Sequence, residues 1–277
     1  MSKIDERGVW LVAGSALAWS FGGAIARYLH VGDSWLIVFW RSLFAAAFLL
    51  SFMLYRQGLR STWRLFATMG LPGLGVAVCF AIASTCFVVA LSYTTVANVL
   101  LMQAGVPLIA ALLGFLIFKE AVSKATWIAI GCVIAGIAIM VSSSLDGNVS
   151  PIGDGLALLI AVMFAVATVI TRHHANVEMM PAVFLGCAIA ALVAGGKVTG
   201  FAVSSLDLGL LAIFGAVNLG LGMALFVTGA RLIPAALAAL LGTGEPVLGP
   251  LWVWLLHGEL PGGRTLLGGA IVCIALV

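Results

Sequence analysis

From Leu65 to Phe118 the chain carries no Asp, Glu, Lys or Arg. One helical crossing of a bilayer takes roughly 17–25 apolar residues, so this stretch alone is long enough for two. Inside hydrocarbon every backbone N–H and C=O must be satisfied by the protein itself, which leaves helices or a closed barrel. Barrel strands are short and alternate polar with apolar residues. The runs here are long and continuous, which predicts helices. The rest of the chain repeats the pattern: of 277 residues 63% are hydrophobic and 8% charged, against about 25% charged in a soluble domain. The chain therefore reads as an all-α integral membrane protein.

Cutting at charge clusters and at Gly, Pro and Asn punctuation gives ten transmembrane helices, at about 8–28, 35–55, 66–91, 94–117, 122–142, 153–173, 179–197, 207–230, 234–256 and 262–277. The first run is of full spanning length and no A-x-A-like site closes it, so it is expected to remain as a helix rather than be cleaved. With the N-terminus in the cytoplasm, Lys3, Arg7, Arg56, Arg60, Arg64, Lys119, Lys124, Arg172 and Arg231 fall inside, and Arg27, Lys197 and Arg264 outside. The positive-inside rule favours that orientation. Ten crossings return the C-terminus to the cytoplasm, and the expected location is the cell (inner or plasma) membrane. Arg41 lies within the second span and is expected to snorkel to the outer interface or to pair with a carboxylate near the outer mouth.

The chain is written twice. Residues 87–120 and 226–259 align at an offset of 139 without a gap, nine of 34 positions identical, among them Gly105/Gly244, Pro107/Pro246 and Glu120/Glu259. The first spans of the two halves match at an offset of 145, pairing Gly8 with Gly153, Ala16 with Ala161 and Arg27 with Arg172. Residues 1–145 and 146–277 thus read as two five-helix repeats. Five is odd, so the second repeat enters the membrane inverted, with the twofold axis in the membrane plane. Inverted repeats are the architecture of secondary transporters, whose sites lie near the midplane at the repeat interface.

Each repeat carries an apolar helix with Gly-x-Pro, followed thirteen residues after the proline by Glu: Gly105-Val106-Pro107 leads to Glu120, and Gly244-Glu245-Pro246 to Glu259. With ten spans and this doubled motif, the chain resembles the drug/metabolite transporter superfamily, EamA type, over essentially its whole length. Within it the chain is similar to the bacterial amino-acid exporters of the YddG kind. The resemblance implies a basket in which helices 1–4 and 6–9 surround a central cavity, with helices 5 and 10 peripheral.

Glu245 is the residue that most demands an explanation. It is near the middle of the ninth span, where an acidic side chain costs on the order of 3 kcal/mol on insertion scales and normally faces a cavity or a partner. Three roles compete: a ligand for the ammonium of an amino acid or another cation, a proton carrier, or a structural group bonded to a neighbouring Asn, Thr or backbone donor. The matching position in the first repeat is Val106, so the motif folds without the carboxylate, which favours a functional role. Proline removes an N–H and frees the carbonyl four residues earlier. Gly105, Pro107, Gly244, Pro246 and Pro250 therefore mark helix breaks or hinges, whose freed carbonyls are offered to substrate or healed by Thr or water. Asn98, Gln103, Asn218 and Thr243 are polar residues of the same spans and join the candidate substrate site; for the asparagines the competing role is interhelical hydrogen bonding. Trp19, mid-span, and Trp252, seven residues beyond Glu245, offer flat walls for an apolar or aromatic substrate. Glu120 and Glu259 end helices 4 and 9 on opposite membrane faces and read as latches.

The leading functional reading is a secondary exporter of small metabolites, amino acids foremost, by alternating access around a midplane cavity. The alternative is an exporter of cationic drugs or quaternary ammonium compounds, with Glu245, Trp19 and Trp252 as a cation site. Nucleotide sugars would call for Lys or Arg deep in a span, and none is expected there. No GxxxxGK[ST] occurs, so the energy comes from a proton or substrate gradient, or the protein equilibrates its substrate passively. A membrane enzyme is a remote alternative: His30, His173, His174 and His257 lie at helix ends or in loops and form no ligand pair with a carboxylate. Cys79, Cys86, Cys132, Cys187 and Cys273 all lie in apolar runs without CxxC spacing, so neither a metal nor a disulfide framework is expected. No cofactor is expected. A net charge of +3 with no basic stripe gives no nucleic-acid surface. The partners expected are the small-molecule substrate, lipid and, in one reading, protons, with the protein a monomer.

Overall fold

A computed structural model of the chain describes residues 5–119, 121–145, 150–230, 232–233 and 235–276. Helix α1, Glu6–Ser20, starts where the Asp5 carboxylate accepts the Arg7 N–H at 2.9 Å, a side-chain cap for an otherwise unpaired donor. It breaks at Phe21 and resumes as α2, Gly22–Tyr28. Asp33 caps α3, Ser34–Thr68, in the same way through the Trp35 N–H. The second span was expected to end near 55 and the third to begin near 66. Instead the chain bends at Gly58, whose φ of 73° is left-handed, and stays helical to Thr68, because no Gly or Pro interrupts residues 59–69.

Helix α4 is Gly70–Ala90. Helices α5, Val96–Gln103, and α6, Val106–Phe118, are the two halves of one span bent by 40°. Helices α7, Lys124–Leu145, α8, Pro151–His173, and α9, Met180–Gly195, follow. The next span is composite: α10, Ser205–Ala212, a π-helix, Ile213–Leu221, and α11, Gly222–Gly229. Helices α12, Ala235–Gly242, and α13, Gly244–His257, form another broken span, and α14 is Gly263–Ala275. The breaks after Gln103 and after Gly242 fall at equivalent positions, an offset of 139 apart.

Among the described residues six helical stretches are long and apolar enough to cross a membrane, and the bent α5–α6 pair makes a seventh. Helices α9 and α14 are shorter apolar helices. The chain is a multi-pass membrane protein.

The packing shows the internal symmetry. Helix α4 packs on α8 and α9, α6 on α8, α3 on α9 and the π-helix, α1 on α11 and α13, α5 on α13, and α7 on α14. Exchange each element for its counterpart in the other half. Then α4–α8 becomes α11–α1, α4–α9 becomes π-helix–α3, α6–α8 becomes α13–α1 and α5–α8 becomes α12–α1, while α3–α9 and α7–α14 map onto themselves. Much of the packing survives the exchange; the departures include α5–α13 and α5–α14, which have no comparable α12–α6 and α12–α7 packing among the described residues. Helices α7 and α14 pack mainly on each other, with further contacts of α7 to α6 and α8 and of α14 to α5, and they approach each other through Gly136 and Gly268, where an added Cβ on either would overlap the other's carbonyl oxygen. Small residues at such crossings are what let membrane helices pack closely.

Candidate functional site

Helix α13 begins just after the break at Thr243, and Glu245 is its second residue. A carboxylate in a first helical turn meets the positive end of the helix dipole. Val247, Leu251 and Trp254 form the outward stripe of α13, at 57%, 37% and 48% exposure. Glu245 lies two residues before Val247, so about 200° round the helix from that stripe. It is half-buried and close enough to Arg41 to interact with its charge, although the two form no direct ion pair.

Arg41 does not snorkel. Its side chain is buried at 5% exposure, and its Nη1 donates to Ser84 Oγ at 2.9 Å. Its guanidinium lies 4.4 Å from the Phe214 ring centroid and 5.5 Å from that of Phe87. The face of α3 that carries Arg41 is turned toward α4 and the π-helix, and a hydroxyl and two aromatic faces replace water there. The expectation that no Lys or Arg sits deep in a span is therefore corrected.

Three candidate residues converge on the α1–α2 break. Asn218, from the π-helix, donates through Nδ2 to the carbonyls of Ala18 at 2.7 Å and Trp19 at 3.0 Å. Both carbonyls belong to the last turn of α1, whose C=O groups lack their usual intrahelical partners; that of Trp19 also accepts from the Phe21 N–H. Trp252 donates its indole N–H to Ser20 Oγ at 3.0 Å and stacks on Phe21, ring centroids 4.9 Å apart. Trp19 packs against Phe226 at 5.4 Å and covers Gly222, where a Cβ would overlap its indole nitrogen. π-helical segments are rare and are frequently found at functional sites; this one, nine residues long, carries Phe214 to Arg41 and Asn218 to α1.

The remaining candidates are scattered. Gln103 is half-buried and donates to Val99 O of its own helix at 3.3 Å. Thr243 is half-buried in the α12–α13 break. Asn98 is buried and held between Thr94 Oγ1 and the Asp154 carboxylate. Gly249 faces Leu100 across the antiparallel α5–α13 contact, which sets Glu245 level with Ala104 and leaves Asn98 roughly 9 Å away along the axis. Gly105 is buried against Val133, and Gly244 approaches Ala16. Pro107 faces outward while its counterpart Pro246 is buried, and Pro250 is half-buried inside α13.

The sequence reading missed Asp154, a carboxylate buried at 3% exposure in the first turn of α8. Its signal was available: an acidic residue four positions into an apolar run, at the end of the helix where the dipole favours it.

At one end of the bundle Glu259 is a clamp. Its Oε2 accepts from Arg27 Nε at 2.8 Å and its Oε1 from the Val96 N–H at 2.9 Å. Arg27 also donates to the carbonyls of Leu91 at 2.9 Å and Thr94 at 3.2 Å. One carboxylate thus ties the end of α2 to the start of α5. Beside it Tyr28 packs edge-on against His257, centroids 4.3 Å apart. The repeat offsets turn Tyr28 and His257 into His173 and Phe118, and these two rings are also paired, stacked at 3.6 Å. The same offsets turn Arg27 and Glu259 into Arg172 and Glu120; Glu120 lies outside the described residues. A cavity of about 160 Å³ opens between α3, α9 and α11, lined by Phe52, Met53, Arg56, Glu178 and Thr228 among others. Phe52 is three turns along α3 from Arg41, so this cavity is not the Glu245 site.

Among solved structures, a protein crystal structure superposes with a TM-score of 0.63 at 18% identity, over 98% of this chain and 95% of that one. At that identity the match speaks to the fold alone. No curated protein matches the chain. The family model described as the EamA-like transporter family matches twice, at residues 6–142 and 151–277, one match on each half. The doubled match agrees with the packing symmetry and with the paired helix breaks, and the chain belongs to the EamA-like transporter family.

Proposed function

We propose that the chain is a secondary-active exporter of small metabolites, amino acids foremost, working by alternating access around Glu245. The observation that carries this reading is the inward-facing carboxylate at the break of the α12–α13 span, where both repeats meet through the α5–α13 contact. Transporter sites are built at such discontinuous helices, on the repeat interface. The arrangement is a ten-span one with both termini in the cytoplasm of a cell membrane, and the protein acts as a monomer.

Arg41 decides between the two substrate classes. A permanent lipophilic cation would meet its like charge beside Glu245, whereas a neutral zwitterion matches a site that holds one charge of each sign. Asn218 and Trp252 serve this site indirectly, by holding the α1–α2 break against the π-helix and α13. The cavity at Arg56 is the cytoplasmic vestibule of the export path.

Alternation needs two closures. Glu259 with Arg27 is the outer one. Glu120 with Arg172 is the inner one, supported by the repeat offsets and by the matched ring pairs Tyr28–His257 and His173–Phe118.

The test is efflux of labelled amino acids from proteoliposomes, with and without a proton gradient, for wild type and Glu245→Gln. Saturable efflux weakened by the substitution supports the reading. Loss of gradient dependence alone makes Glu245 the proton carrier. Movement of drug cations without amino acids would keep the transporter and overturn the substrate.

A further inference from the structure

Arg41 is underused by the fold that buries it. A guanidinium carries five N–H donors in a rigid fork. Of its three nitrogens only Nη1 is engaged, by the Ser84 hydroxyl at 2.9 Å and more distantly by the Ser84 carbonyl at 3.5 Å. Nε is buried and has no hydrogen-bond partner. A buried, unpaired donor on a charged group is costly, and native proteins rarely keep one without a reason. The Nε and Nη2 hydrogens point in parallel from one edge, which is the geometry that takes a carboxylate through two bonds at once.

The opposite charge is at hand but does not close the pair. Glu245 interacts with Arg41 electrostatically without reaching ion-pair distance. A purely structural pair in this apolar setting would gain most by direct contact. A cation and an anion held apart across the join between the two repeats fit a ligand that carries both charges in the reverse order.

We propose that Arg41 is the carboxylate anchor of the transport site, its Nε–Nη2 edge taking the α-carboxylate of an amino acid whose ammonium group faces Glu245. Phe87 and Phe214 hold the guanidinium plane from its two aromatic contacts, and Ser84 fixes its rotation. Nε is shielded from water in this state, so occupancy requires the packing of α3 on α4 and the π-helix to open around it. This inference rests on the reading of Glu245 as part of the transport site.

The experiment compares ligands before it compares variants. Wild-type protein in proteoliposomes is loaded for counterflow of labelled leucine, against unlabelled leucine, leucinamide, isopentylamine and 4-methylpentanoate. The expected result is competition by leucine at least tenfold stronger than by leucinamide or isopentylamine, which lack the carboxylate. Arg41→Gln is expected to lose that preference and Arg41→Lys to keep part of it. Equal competition by leucine and leucinamide in wild type overturns the anchor and leaves the transporter reading standing. An unchanged preference in Arg41→Gln does the same. No leucine flux in wild type, with some other small molecule moved instead, overturns both.

Discussion

Asn218 is expected to hold helix 1 in its broken form, and replacing it measures that directly. Its Nδ2 has two hydrogens, and each meets a carbonyl, at 2.7 Å on Ala18 and 3.0 Å on Trp19. Side-chain hydrogen bonds between membrane helices average about 0.6 kcal/mol each and reach about 1.7. Asn218→Ala should therefore destabilise the protein by about 1.2 kcal/mol, with an upper bound near 3. Asn218→Asp keeps the shape but has no donors, and it sets carboxylate oxygens against two carbonyl oxygens. Adding the roughly 2.5–3.5 kcal/mol cost of a charge at a helix centre makes it clearly worse than the alanine. Reversible unfolding in mixed micelles gives the two free energies. Transport in proteoliposomes should show a lower active fraction with an unchanged KM, because the amide is used on backbone rather than on substrate. An alanine variant as stable as wild type, or one with a raised KM and intact stability, would refute this assignment.

Other consequences follow from the same packing. Gly215→Ala puts a Cβ onto the Arg41 carbonyl and beside the Ala45 nitrogen; backbone cannot rotate away, so a loss of about 1–3 kcal/mol is expected in the same unfolding assay. Trp252→Phe retains a ring to stack on Phe21 but loses the bond to Ser20, a loss of about 0.6 kcal/mol with transport kinetics preserved. Glu259→Gln and Glu120→Gln should shift the access equilibrium in opposite directions, outward and inward respectively, read by side-specific labelling of an engineered thiol. The effect of either on stability should be small, about 0–1 kcal/mol for Glu259, because its pair with Arg27 is partly exposed at 21% and 30%.

The membrane class and the two-repeat architecture were legible because both are written in long-range pattern. Apolar runs report length, and the offset of 139 that aligns Gly105-Val106-Pro107 with Gly244-Glu245-Pro246 also aligns the two helix breaks. What was not legible depends on partners far along the chain. No proline marks the break at Phe21; the carbonyls it leaves are met by Asn218, about two hundred positions away. The depth of Arg41 is set by Ser84, Phe87 and Phe214, so its distance from the helix end alone suggested a snorkelling side chain. Asp154 was passed over because it stands near a span boundary, where a charge is unremarkable until Asn98 is seen beside it. The π-helix carries no local motif; it lies in the middle of one span, where Phe214 meets Arg41 and Asn218 meets α1.

The central claim is that Glu245 lies in a site opened to each side of the membrane in turn. The most direct measurement is thiol accessibility: Glu245→Cys in a background with the five native cysteines replaced, probed with a membrane-impermeant reagent from either face of oriented vesicles. The expected result is modification from both faces, with amino acids protecting the thiol and with Glu259→Gln and Glu120→Gln biasing it to opposite faces. A thiol reached only by a lipid-soluble reagent, or from one face under every condition, would contradict the account.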